Sequence, residues 1–270
     1  MSNVDDDRYR EIDGTRFRLR REPQVSSTNT VLMDAARQGE NHGAVLVADE
    51  QTAGRGRRGR TWLSPPGSML MMSVLLRPPP TQAPAAASLV TSAFACAVLA
   101  ACEDISTELA VKWPNDVVLP GSDESGYLKI AGILTETIVA DQGLEVMVVG
   151  MGLNTGWSEI PDELANSATS LHVLAGRAID RRDLAESILR AFEPRYEALV
   201  SDGPSDTLVE LRRRSATIGS SVRVELGEQR FIRGLAIDVD HQGHLMVRDE
   251  HGDVHVLSVG EVVHLRPGDR

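Results

Sequence analysis

The chain has 270 residues, 41% hydrophobic and 25% charged, the proportions of an ordinary globular protein with one large domain or a large and a small one. Acidic residues outnumber basic ones 39 to 28, and the net charge of −11 argues against general affinity for nucleic acid or anionic membrane. No apolar run is long enough to span a bilayer, and the polar, acidic N-terminus has no signal-peptide pattern, so a cytoplasmic protein is expected.

Residues 1 to about 22 carry little periodic apolar pattern and are expected to form a mobile or loosely docked tail. Ser26-Ser27-Thr28-Asn29 then offers helix N-caps, Val31, Leu32, Ala35 and Ala36 give a helical stripe, and Gly39 closes the element. Ala44 to Ala48 reads as a short buried strand. It feeds the stretch from Gln51 to Trp62, in which Gly54-Arg-Gly-Arg-Arg-Gly-Arg60 combines backbone freedom with four guanidinium groups. Glycine lets a ligand approach the backbone, and arginine forks onto carboxylate or phosphate oxygens, so this loop suits closing over an anion. A solvated basic turn and an arginine/glycine segment for nucleic acid are the competing readings.

Ser68 to Leu76 is a second strand, ended by Pro78-Pro79-Pro80. Ala85 to about Asp104 is alanine-rich and apolar on most sides, a buried helix; Cys96 and Cys102 lie in it at a spacing that fits neither a redox nor a zinc motif, so both are expected as reduced thiols. Val111 to Leu119 reads as a strand interrupted at Pro114-Asn115-Asp116, and Gly121 to Gly126 as a hairpin loop. Tyr127 to Val139 and Leu144 to Val149 are strands joined at Asp141-Gln142-Gly143. Leu184, Ile188, Phe192, Tyr196 and Leu199 recur at helical spacing. From about Ile218, short alternating strands separated by Gly227, Gly243 and Gly252 predict a small antiparallel barrel. Five of the seven histidines fall after residue 240; without a cysteine or carboxylate set beside them, solvated barrel faces are expected rather than a zinc site.

Four segments carry candidate chemistry. Beside the Arg/Gly loop stand Lys112-Trp113-Pro114-Asn115-Asp116, Lys129-Ile130-Ala131-Gly132-Ile133-Leu134, and Gly150-Met151-Gly152-Leu153-Asn154. Lysine occurs only at Lys112 and Lys129, inside two of these segments. Gly132 and Gly150 clear space for a flat ligand against the strand backbone. Each segment alone also has a bland reading: an Asx turn with a surface lysine, a bulge glycine, a common strand exit.

Together with Ser27-Thr28-Asn29, Gln51 and Trp62, these segments resemble the biotin–protein ligase family, in the family's order and approximate spacing, over about residues 25 to 266. The resemblance implies an α+β fold: a mixed-sheet catalytic domain of the biotin/lipoate ligase type at 23–216, then a small SH3-like β-barrel at 217–270. The sequence departs from the family in two places. Only about 22 residues precede the first helix, so the DNA-binding domain and repressor role of some members are not expected here. Met151 stands where a smaller residue is usual, which bears on the shape of the pocket wall.

The family joins the biotin carboxylate to the α-phosphate of ATP and passes biotin from biotinyl-5′-adenylate to a lysine of a biotin carboxyl carrier domain. Carried over, this implies biotin contacts from Ser27, Thr28, Asn29 and Gln51, from Gly54, Arg55, Gly56 and Arg57 of the loop, and from Lys129, Gly132, Leu134 and Gly150. Hydroxyls and an amide complement a neutral ureido ring. Lys129, Arg57 and Lys112 are the expected catalytic groups, neutralising charge as two anions meet. Arg57, Arg58, Lys112, Asn115, Asp116 and Asn154 are expected at the ATP, with Asp116 toward Mg²⁺. Trp62 is expected either against the adenylate or as a core residue. ATP, Mg²⁺ and biotin are the implied small molecules, with no prosthetic group. The alternatives are a lipoate or octanoyl ligase, and a nucleic-acid-binding protein using the Arg/Gly loop.

Overall fold

A computed structural model describes residues 9–264, apart from 61, 63–66, 80–85, 122–125, 142, 158–159, 161–163 and 228–229. Parts of the expected tail (1–8), of the hairpin loop and turn (122–125 and 142) and of the C-terminal domain (265–270) therefore lie outside the described residues.

Eight strands form the large sheet: β1 (Arg10–Glu11), β2 (Arg18–Val25), β3 (Ala44–Gln51), β4 (Met69–Leu76), β5 (Ala110–Lys112), β6 (Asp116–Pro120), β7 (Tyr127–Ala140) and β8 (Gly143–Asn154). Their order is β1-β2-β3-β4-β8-β7-β6-β5, antiparallel except for the parallel pair β2–β3. Helices α1 (Thr28–Arg37), α2 (Ala86–Ala101), α3 (Leu171–Ala175), α4 (Arg181–Ser201) and α5 (Ser205–Arg213) complete the domain.

Strand alternation sorts the side chains to two faces. On β4 and β8, Leu70, Met72, Val74, Met147, Val149, Met151 and Leu153 join the main core, which also holds Phe94 of α2 and Phe192 of α4. On the opposite face, Leu75, Val146 and Val148 pack with Leu32, Met33 and Ala36 of α1. Further along that second face the residues become small: Ser73 on β4, Gly150 and Gly152 on β8. Beyond the N-terminus of α1, then, the sheet offers bare backbone in place of a packed layer.

Two expectations change here. Residues 9–22 are not a loose tail: β1 and β2 extend the sheet, Ile12 and Phe17 are each 1% exposed, and the Phe17 ring lies 6.0 Å from that of Phe192. Arginines at alternating positions of β2 conceal the strand in the sequence: Arg18 and Arg20 lie over the Tyr9 ring, 5.1 and 5.5 Å from its centroid, where apolar residues would be expected. Val111–Leu119 is not one interrupted strand but the hairpin β5–β6, turning at Trp113–Asn115.

The C-terminal domain is a five-stranded antiparallel sheet of order β12-β11-β10-β9-β13, from β9 (Ser221–Gly227), β10 (Arg230–Val239), β11 (Leu245–Arg248), β12 (Val254–Leu257) and β13 (Glu261–His264). Val222, Val224, Ala236, Leu245, Val247 and Val262 fill its inside and are continuous with the main core. Trp113 ties the domains together, its Nε1 donating to the Gly243 carbonyl at 3.0 Å and its backbone N–H to Thr217 Oγ1 at 3.0 Å. The histidines are not uniformly solvated: His244 and His255 face Asp240 and Asp249, and His264 packs on Tyr127, Nδ1 to hydroxyl 3.0 Å.

Candidate active site

A cleft of about 250 Å³ opens over the small-residue face, bounded by the α1 N-terminus, the Arg/Gly loop, the β5–β6 turn, β7, β8 and the start of β13. Fifteen of the predicted site residues line it: Ser27, Thr28, Asn29, Gln51, Arg55, Gly56, Arg57, Trp62, Lys112, Asn115, Asp116, Lys129, Gly132, Leu134 and Gly150. Gly54, Arg58 and Asn154 do not.

One end of the cleft is uncharged and its hydrogen-bond polarity is fixed. Ser27 caps α1, its oxygen accepting from Thr30 N–H. The Thr28 N–H reaches the Gln51 side chain at 2.7 Å; a backbone N–H can only donate, so the atom it meets is the amide oxygen, which also accepts from Thr28 Oγ1 at 3.0 Å. Gln51 therefore keeps its NH₂ for other partners. Asn29 donates to the Leu134 carbonyl at 3.1 Å and to Glu136 at 2.9 Å, and its oxygen accepts from Ser73 at 2.7 Å. Gly150 is glycine because a Cβ there would stand 2.0 Å from that oxygen.

The other end is cationic. Lys129 Nζ lies 2.7 Å from Asp116 Oδ1 and 5.2 Å from the centroid of the Trp62 ring. Burial pushes the Lys112 ammonium below its ordinary range, while Asp116 opposes the shift. Burial also lowers Arg57, again opposed by Asp116; a guanidinium stays charged nonetheless. Arg57 donates to Asn115 Oδ1 at 3.1 Å and to the Gly260 carbonyl at 3.4 Å.

Trp62 lies on the bare floor that the glycines make. Gly132 and Gly152 are paired across β7 and β8; a Cβ on Gly152 would come within 2.3 Å of the indole nitrogen, and one on Gly132 within 2.9 Å of the ring. The indole N–H points at Met69 Sδ, 3.3 Å away. Met151 alternates with these glycines, so its side chain belongs to the main core and the pocket wall keeps a glycine surface.

The loop arginines divide into three uses. Arg55 pairs with Glu136 at 2.7 and 2.8 Å, and Arg60 forks onto both oxygens of Glu261 at 2.9 and 3.0 Å. Arg57, between them, faces the cleft. Arg58, in the left-handed region at φ 57°, is exposed and turned toward Gly227. Gly54 supports the loop instead of lining the cleft: a Cβ would strike the Trp62 carbonyl at 2.6 Å. Asn154 is 2% exposed and donates to the carbonyls of Lys129 at 3.3 Å and Thr169 at 2.9 Å, so it holds the Lys129 backbone from behind; its Oδ1 is buried without a protein partner.

Sequence reasoning missed Ser73, Glu136, Glu261 and Val262. Ser73 and Glu136 stand inside strands that read as apolar, and a polar residue on a buried strand face was the available signal. Glu261 reaches the cleft from a domain about 200 residues further along, for which no local pattern exists.

The sequence profile of the biotin/lipoate A/B protein ligase family matches residues 22–154, and that of the biotin protein ligase C-terminal domain matches residues 217–265. The biotin–[acetyl-CoA-carboxylase] ligase of Mycobacterium tuberculosis is 39% identical over 253 residues, 90% of this chain and 87% of the relative. The bifunctional ligase/repressor BirA of Bacillus subtilis is 32% identical, over 84% of this chain and 68% of the relative. Among solved structures, the biotin protein ligase from Aquifex aeolicus in complex with biotin and ATP superposes with a TM-score of 0.76 at 27% identity, covering 94% of this chain and all of that one. A 39% identity across most of both chains, with both domain profiles in place, makes this chain a member of the biotin protein ligase family.

Proposed function

We infer that the protein is an ATP-dependent biotin–[acetyl-CoA-carboxylase] ligase, which activates biotin as biotinyl-5′-adenylate and transfers it to a lysine of a biotin carboxyl carrier domain. The observation that carries this is one cleft with two unlike ends: a neutral end of fixed hydrogen-bond polarity at Ser27, Thr28 and Gln51, and a cationic end at Arg57, Lys112 and Lys129. A neutral ureido ring matches the first, and the carboxylate tail and a triphosphate match the second.

In the first step a biotin carboxylate oxygen attacks the α-phosphorus of ATP and pyrophosphate leaves. Two anions must be brought together, and Lys129 and Arg57 offset that repulsion, Lys129 being aimed by Asp116 and by Asn154 behind its backbone. Lys112 and Asn115 face the departing phosphates. In the second step the carrier's lysine amine attacks the acyl carbonyl, AMP leaves and an amide forms. Asn154 Oδ1, buried without a protein partner, suits a hydrogen-bond donor such as the exocyclic amine of adenine. For Mg²⁺ the protein offers little: among the described residues no three His, Cys, Asp or Glu side chains cluster, and Asp116 is already paired with Lys129. A magnesium here would be held chiefly by phosphate oxygens and water, with Asp116 as one ligand.

The Arg/Gly loop does not favour a nucleic-acid reading, because Arg55 and Arg60 are committed to Glu136 and Glu261 instead of forming an outward stripe. Biotin-dependent ATP–pyrophosphate exchange is the decisive assay. Exchange supported equally well by lipoate or octanoate, or none with biotin, would overturn the assignment.

A further inference from the structure

Glu136 does not line the cleft, yet the neutral end is organised around it. It stands on β7, where Arg55 Nη2 reaches its two carboxylate oxygens at 2.7 and 2.8 Å and Asn29 Nδ2 donates to Oε2 at 2.9 Å. A carboxylate only accepts, and so does the Leu134 carbonyl on the other Asn29 proton. Together they fix which way the Asn29 amide faces. Its oxygen then points at Ser73, whose hydroxyl has two possible acceptors, Asn29 Oδ1 and Thr28 Oγ1, both at 2.7 Å. The Thr28 proton has two possible acceptors, Gln51 Oε1 at 3.0 Å and, when Ser73 donates to Asn29, Ser73 Oγ at 2.7 Å. With Asn29 held as it is, Ser73 has a strong amide acceptor, and Thr28 Oγ1 keeps a lone pair for the ligand. Asn29 itself, with both protons and its oxygen engaged and 4% exposed, does not read the ligand.

We propose that Glu136 is a positioning residue for biotin: it fixes the proton polarity of the Ser73–Asn29–Thr28–Gln51 network and seats Arg55 at the loop's entry. The end of the cleft it governs must then accept a hydrogen bond through Thr28 Oγ1 and donate one through Gln51 Nε2, which is the pattern of a cyclic urea. This inference rests on biotin being the ligand of that end.

Glu136→Gln tests it with little change of volume. The amide brings protons where two donors already converge, so either Arg55 or Asn29 must turn away. The expected result, by calorimetry without nucleotide, is a biotin Kd raised about tenfold, with the KM for ATP and the thermal midpoint close to wild type. Glu136→Asp, which keeps an acceptor-only group one bond shorter, should recover part of the affinity. Unchanged biotin affinity in folded Glu136→Gln, or an equal loss toward biotin and ATP, would overturn the proposal. If the Gln variant does not fold, the Asp variant is judged by the same two measurements. Failure of the wild-type protein to bind biotin would instead remove the ligand assignment.

Discussion

Replacing Gly150 by alanine isolates the packing that holds the neutral end of the cleft. The position is not in the left-handed backbone region, so alanine is conformationally acceptable and the effect is steric. Its Cβ would lie 2.0 Å from Asn29 Oδ1 and 2.7 Å from Cγ, which forces the Asn29 amide out of place. That amide makes three hydrogen bonds, to Leu134, Glu136 and Ser73. At about 1 kcal/mol net each, with roughly 1–2 kcal/mol of overpacking, Gly150→Ala should cost about 4 kcal/mol of unfolding free energy. In an Asn29→Ala background the clash is gone, and the same substitution should cost about 1 kcal/mol or less. The coupling of ~3 kcal/mol is readable in a double-mutant cycle by urea denaturation, with biotin affinity followed in parallel. If the two changes are additive within about 0.5 kcal/mol, the contact is not what requires glycine there.

Other expectations follow from the same geometry. Lys129→Ala should fold normally but lose about 10²–10³ in biotin-dependent pyrophosphate exchange, because it removes a charge aimed at the transition state; exchange at the wild-type rate would refute the role. His264, held by burial down to about 4 from an ordinary 6.5, stays neutral in the fold while the unfolded chain takes up a proton, so it lowers stability as pH falls from about 6.5 toward 4 and has no effect above that window. After solvent screening this is on the order of 2 kcal/mol. In His264→Gln, urea unfolding at pH 7.5 and pH 5 should show a correspondingly smaller acid loss; an identical loss would show that other groups set it. The Arg60–Glu261 pair joins the loop to the C-terminal domain through side chains 61% and 38% exposed, so its coupling should be below about 1 kcal/mol and fade with added salt. A salt-independent coupling well above that would mean the pair is far less solvated in solution.

The sequence by itself determined the strongly patterned parts. Periodicity placed α1, α2, α4, the long strands β7 and β8 and the alternating strands of the C-terminal domain, since each buries one face or both faces against a large core. It also determined most of the cleft, because glycines, lysines and hydroxyls stand out against an apolar strand or an arginine-rich background. Short elements escaped it. β1 has two residues, β2 carries arginines where apolar residues would mark a strand, and α3 and α5, of five and nine residues, are too short for a periodic signal and exist because the core receives Leu171, Leu208 and Leu211.

Tertiary structure alone decided what each polar group faces. Four arginines of one loop look alike in the sequence, yet Glu136 and Glu261 take Arg55 and Arg60, and Arg57 is left for the cleft. Asn29 and Asn154 read as ligand contacts in the sequence; the structure commits their amide protons to backbone carbonyls and Glu136 and leaves Asn154 Oδ1 without a protein partner. Met151 reads as a pocket wall and faces the core. Hydrogen-bond and ion-pair partners are set by which strands become neighbours, and neighbours here are separated by 23 residues for Thr28 and Gln51, 107 for Asn29 and Glu136, and 201 for Arg60 and Glu261. Local pattern constrains the face on which a side chain emerges; the charge that waits opposite it is fixed only when the sheet and the second domain close around the cleft.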